Sequence, residues 1–134
     1  RVLDLNSLKI VVYIDGTCSV CLSELSFWRE FIEEVSNNGL DCKFLIYIYT
    51  KDIETMRDYL TLVNFHYPVI IDLKSQLPQK NTLFDKRFQV FLLNESNEVI
   101  LIGNPTMNHD LRNTYINVIK DINKKNIEIK DHEL

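Results

Sequence analysis

The chain has 134 residues, 46% of them hydrophobic and 25% charged, and a net charge of −4 with acids and bases interspersed. That length fits one domain with a real core, and the lack of a basic face argues against a nucleic-acid or anionic-membrane partner. No apolar run approaches the roughly 20 residues that cross a bilayer. The first residue is Arg1, so the sequence reads as a processed or trimmed chain from which a signal peptide could have been removed.

Lys9 to Ile14 reads Lys-Ile-Val-Val-Tyr-Ile, a β-branched and aromatic run that suits a buried strand. Asp15-Gly16-Thr17 breaks it with turn chemistry. From Cys18 the period becomes helical. Leu25, Trp28, Phe31, Ile32 and Val35 recur at three- and four-residue steps, with Glu24, Arg29, Glu30, Glu33 and Glu34 largely opposite. Trp28 and Phe31 at this spacing read as core. Asn37-Asn38-Gly39 supplies a C-terminal stop, and Cys42 to Tyr49 is a second strand. A second helix opens at Lys51-Asp52 and buries Ile53, Met56, Tyr59, Leu60 and Val63. Tyr67 to Asp72 is a third strand, with Pro68 at its start, where no ladder hydrogen bond is lost.

Residues 73 to 87 are polar and irregular, include Pro78, and suit a loop with a short helix. Phe88 to Asn94 and Val99 to Ile102 are strands joined by Glu95-Ser96-Asn97-Glu98, a hairpin signal. Gly103-Asn104-Pro105 ends the hairpin. A last helix, Asn108 to about Lys124, turns Leu111, Tyr115, Val118, Ile119 and Ile122 inward, and the charged tail over 125–134 is expected to fray. The first β-α-β unit demands a parallel pair with a right-handed crossover. The later hairpin demands an antiparallel pair. The expectation is an α/β fold: one domain over residues 1–134, with a mixed central sheet and helices on both faces.

Three cysteines are too few for a disulfide-stapled scaffold. Two of them form Cys18-Ser19-Val20-Cys21, a spacing used for redox chemistry or for metal. In the first turn of a helix such a pair shares one face, with Cβ atoms about 5–6 Å apart, close to disulfide geometry. At the helix N-terminus, unpaired N–H groups and the macrodipole favour an anion at Cys18. The thiolate is the nucleophile of disulfide exchange. Cys21, one turn further in, suits resolution of a mixed disulfide. A tetrahedral zinc site would need two more ligands. Cys42, His66, His109 and His132 are scattered and show no ligand spacing, so the expectation is redox use with no metal and no cofactor. Cys42 reads as a small buried hydrophobe, and His66 as a surface residue.

Glu24 follows Cys21 by three and can lie one turn along the same face. A partly desolvated carboxylate there accepts a proton from Cys21. A solvated first-turn glutamate is the plainer alternative.

Lys9 to Leu25 (KIVVYIDGTCSVCLSEL), Tyr67 to Asp72 (YPVIID) and Phe91 to Ile102 (FLLNESNEVILI) resemble the thioredoxin superfamily, in particular its exported bacterial TlpA/ResA-like branch. The most specific match is Cys21-Leu22-Ser23-Glu24-Leu25, which repeats that family's Cys-x-x-Glu-Leu/Met continuation. The resemblance implies a thiol-disulfide oxidoreductase, tethered or soluble in an oxidising compartment such as the bacterial periplasm. It would exchange electrons with protein thiols and disulfides and with a redox partner protein, any membrane tether lying outside this chain. Carried over by position, Cys18 is the attacking thiol, Cys21 the resolving thiol and Glu24 a carboxylate beside them. The substrate groove falls at Thr17, Arg87 and Phe88.

There are departures. Phe88 stands at the family's cis-proline position, where a non-proline cis bond would cost about 2.5–4 kcal/mol. Thr17 replaces a usual tryptophan, and Val12 replaces thioredoxin's buried acid. Asp15 stands where a peroxidase relative would need threonine relative to Cys18. An alternative reading follows from Phe88: a non-catalytic binding domain in which Cys18–Cys21 is a structural clip.

Overall fold

The computed structural model describes residues 7–74 and 89–133. Among these residues the sheet has five strands: β1 (Lys9–Asp15), β2 (Lys43–Tyr49), β3 (Val69–Asp72), β4 (Val90–Leu93) and β5 (Val99–Ile102). They lie in the order β3-β2-β1-β4-β5. The first three are mutually parallel, β4 is antiparallel to β1, and β5 is antiparallel to β4. The mixed sheet expected from the element order is the one observed. β1 is central, which explains its unbroken apolar run, and every residue from Lys9 to Ile14 is buried. Lys9 manages this by reaching the Ser7 carbonyl with its ammonium, 3.0 Å away.

β1, β2 and β3 step across the sheet in one direction, so right-handed crossovers place both connections on one face. α1 (Ser19–Ser23) and α2 (Leu25–Asn37) join β1 to β2, and α3 (Ile53–Leu62) joins β2 to β3. Arg29 on α2 donates to the Val63 and Asn64 carbonyls just past α3, at 3.0 and 3.2 Å. α4 (His109–Glu133) packs beside α2. Tyr115 meets Phe31 edge-on at 6.5 Å. Arg112 pairs with Glu34 at 2.6 Å while lying over the Phe31 ring. Trp28, Phe31, Phe44 and Tyr115 thus centre a core that also takes in Ile10, Val12, Ile46, Ile48 and Leu92. On the other side of the sheet, Val11 and Tyr13 are also buried.

Three expectations shift. The helix from Cys18 is broken at Glu24, whose N–H bonds back only three residues, to the Cys21 carbonyl. Ser23 and Ser26 cause this competition, their hydroxyls donating to the carbonyls of Val20 and Ser23. The last helix does not end near Lys124 but runs on to Glu133. No glycine or proline interrupts that stretch, and the Asn126 amide anchors it to Glu95 at 2.5 Å. The hairpin turn starts one residue early. Asn94 accepts the N–H groups of Ser96 and Glu98, and Asn97 takes a positive φ of 62°. The short helix expected within 73–87 lies, from residue 75, outside the described residues.

Candidate active site: a dithiol at a helix start

The chain leaves β1 at Asp15, beside the end of β2. Gly16 donates its N–H to the Tyr49 carbonyl at 2.7 Å. A Cβ on Gly16 would overlap that carbonyl oxygen and fall 2.7 Å from Met56 Cε, so only glycine permits the approach. Asp15 Oδ1 accepts two bonds from Thr17, one from its N–H at 2.9 Å and one from its hydroxyl at 2.7 Å. The Asp15 carbonyl accepts the Cys18 N–H at 3.2 Å. Thr17 itself is exposed.

Cys18 is the N-cap of α1, with extended backbone angles, and its Sγ accepts the Cys21 N–H at 3.2 Å. The sulfur therefore takes the place that a serine or aspartate oxygen usually fills at a cap. α2 follows directly, the Glu24 N–H donating to the Cys21 carbonyl and the Glu24 carbonyl accepting the Trp28 N–H at 3.1 Å. Cys18 and Cys21 are 5.2 Å apart at Cα and their sulfurs are at disulfide-bonding distance. Cys18 is half-buried, while Cys21 is 7% exposed and belongs to the core. Val20, between them, is 73% exposed. Glu24 is half-buried, one turn beyond Cys21. The arrangement offers solvent one sulfur bonded by a backbone N–H, with a second sulfur behind it against the core.

The third cysteine differs. Cys42 precedes β2 at the opposite end of the sheet, packed against the core with its Sγ 3.7 Å from the Lys43 carbonyl. Burial first, then the neighbouring Asp41 charge, pushes its thiol up to about 12. The nearby Tyr115 hydroxyl is also raised, mainly by burial, and donates to the Gly103 carbonyl at 2.6 Å. His66 is exposed and pairs with Asn64. Among the described residues no group of three or more histidine, cysteine or acidic side chains could hold a metal ion.

Of the expected site residues, the structure brings Thr17, Cys18, Cys21 and Glu24 together in one turn and the helix after it. Arg87 and Phe88 lie outside the described residues. Sequence reasoning took Asp15-Gly16-Thr17 only as turn chemistry and missed the Asp15–Thr17 clasp. The available signal was an acid two residues before a threonine at a strand end, the pattern of a side-chain-closed turn.

No protein-family model and no curated protein matches the chain. Solved structures do. The thioredoxin domain of a thiol-disulfide oxidoreductase from Bacteroides vulgatus superposes with a TM-score of 0.62 at 13% identity, covering 87% of this chain and 81% of that one. A secreted Mycobacterium tuberculosis disulfide oxidoreductase homologous to E. coli DsbE gives 0.60 at 12%, covering 84% and 82%. The exposed lipoprotein thioredoxin Etrx1 of Streptococcus pneumoniae gives 0.59 at 14%, covering 84% of each. No helix among the described residues is long and apolar enough to cross a membrane. With its mixed five-stranded sheet and the dithiol just beyond the central strand, the chain has the thioredoxin-like fold.

Proposed function

We propose that the chain is a thiol-disulfide oxidoreductase acting on protein thiols and disulfides through Cys18 and Cys21. In the reducing direction, the Cys18 thiolate attacks one sulfur of a substrate disulfide. A mixed disulfide forms and one substrate thiolate leaves. Cys21 then loses its proton to Glu24 and attacks the Cys18 sulfur. The Cys18–Cys21 bond closes, the second substrate thiolate leaves, and two electrons have moved to the substrate. Run backwards, the same steps oxidise a dithiol. The observation that carries this reading is the Cys18 Sγ accepting the Cys21 N–H at the helix cap, because that N–H stabilises an anionic sulfur. The groove beside it would use Thr17, Arg87 and Phe88. An exported setting, of the TlpA/ResA type, is supported by the secreted and lipoprotein neighbours, with a redox partner protein to reset the couple.

The test is turnover of a disulfide-bonded model protein by the reduced chain, alongside the reduction potential of the couple. Turnover by the wild type, its loss in Cys18→Ser, and a trapped mixed disulfide in Cys21→Ser are expected. A couple of very negative potential with no turnover would contradict the reading and leave a binding domain with a structural clip.

A further inference from the structure

We propose that Asp15 is a positioning residue for the dithiol: its Oδ1, clasping Thr17 twice, holds the backbone that presents the Cys18 sulfur. This rests on the oxidoreductase reading above, and it assigns a role to a side chain that none of the steps there uses.

Each backbone N–H from Gly16 to Cys18 has an acceptor. Gly16 donates to the Tyr49 carbonyl, Thr17 to Asp15 Oδ1 and Cys18 to the Asp15 carbonyl. The last bond, at 3.2 Å, is at the long end for N–H···O. Alone, it would define the turn loosely. The two side-chain bonds from Thr17 are shorter, at 2.9 and 2.7 Å, and both end on one carboxylate oxygen. Asp15 is itself fixed, as the last residue of β1 in register with Tyr49. The clasp therefore ties the residue before Cys18 to the rigid centre of the sheet. In the oxidised chain the Cys18–Cys21 bond also restrains the sulfur. Once it is reduced, that restraint is gone, and only backbone placement keeps Sγ within reach of the Cys21 N–H. The clasp thus matters most for the thiolate that attacks. It also explains Thr17: a hydroxyl there supplies the second bond, which a tryptophan could not.

The experiment compares reduced variants by the alkylation rate of Cys18 near neutral pH, resolved from Cys21 and Cys42 by mass spectrometry. D15N and D15A remove the same charge, but only the amide of D15N retains an oxygen acceptor. D15A is expected to react about tenfold more slowly than D15N, the scale of losing charge-assisted bonds that order a reacting group. T17V is expected to be about threefold slower than wild type, with T17S close to wild type. Unchanged thermal midpoints of the oxidised forms separate this from general destabilisation. Equal rates for D15A and D15N would overturn the proposal. Should D15A not fold, T17V reacting like wild type would overturn it instead. Alkylation needs no substrate, so a wild type that fails to turn over a model disulfide sinks the oxidoreductase reading without deciding this one.

Discussion

The two ends of the β1–β2 pair hold the same functional group in opposite conditions. At the carboxyl end, Cys18 is half-exposed and its sulfur accepts a backbone N–H at a helix start. At the amino end, roughly 20 Å away along the seven residues of β1, Cys42 precedes Lys43 and packs into the core. There, burial and the Asp41 charge push the thiol up to about 12. The proposed function needs a thiolate at the first end, whereas burial disfavours one at the second. The side chain is identical, so on the proposed function any difference in reactivity comes from where the fold points N–H groups and water.

The largest effect should come from exchanging the roles by mutation. Cys18→Ser is expected to reduce disulfide exchange to the uncatalysed background, whereas Cys42→Ser leaves it within about twofold, measured by turnover of a model disulfide. Gly16→Ala comes next. Its Cβ would overlap the Tyr49 carbonyl oxygen, so a loss of about 2 kcal/mol in denaturant unfolding is expected, with slower Cys18 alkylation. Glu24→Gln should slow closure of the mixed disulfide by about tenfold while leaving Cys18 alkylation unchanged, as seen in single-turnover kinetics. An equal drop in both rates would remove its role as proton acceptor.

The smallest effect is confined to alkaline pH. The folded Cys42 thiol titrates near 12 and the unfolded one near 9. Above the lower value the unfolded chain binds fewer protons than the folded one, so stability is intact below about pH 9 and falls as pH rises toward 12. The slope is at most about 1.4 kcal/mol per pH unit. The raised Tyr115 hydroxyl acts in the same direction. Cys42→Ser should flatten the decline in chemical unfolding measured across that range, and an unchanged slope would contradict the assigned burial.

Most of this contrast was legible in the sequence. The unbroken run from Lys9 to Ile14 marked a strand covered on both sides, and the Trp28–Phe31 spacing marked the buried helix face. Cys18 and Cys21 announced themselves by spacing and context. Other features depended on a choice among contacts that the sequence pattern does not rank. The break at Glu24 comes from serine hydroxyls choosing nearby carbonyls. The bond from Asn126 on α4 to Glu95 joins residues 31 apart in the chain. The clasp between Asp15 and Thr17 was hidden because an Asp-Gly-Thr sequence serves many turns equally well.

The most direct test is to follow alkylation of all three thiols in the reduced wild-type chain from about pH 4 to about pH 10. Cys18 should titrate below the ordinary thiol value and outpace both others at neutral pH. Cys42 should stay inert throughout. A Cys18 midpoint at or above that ordinary value, with Cys18 and Cys21 reacting alike, would contradict the account.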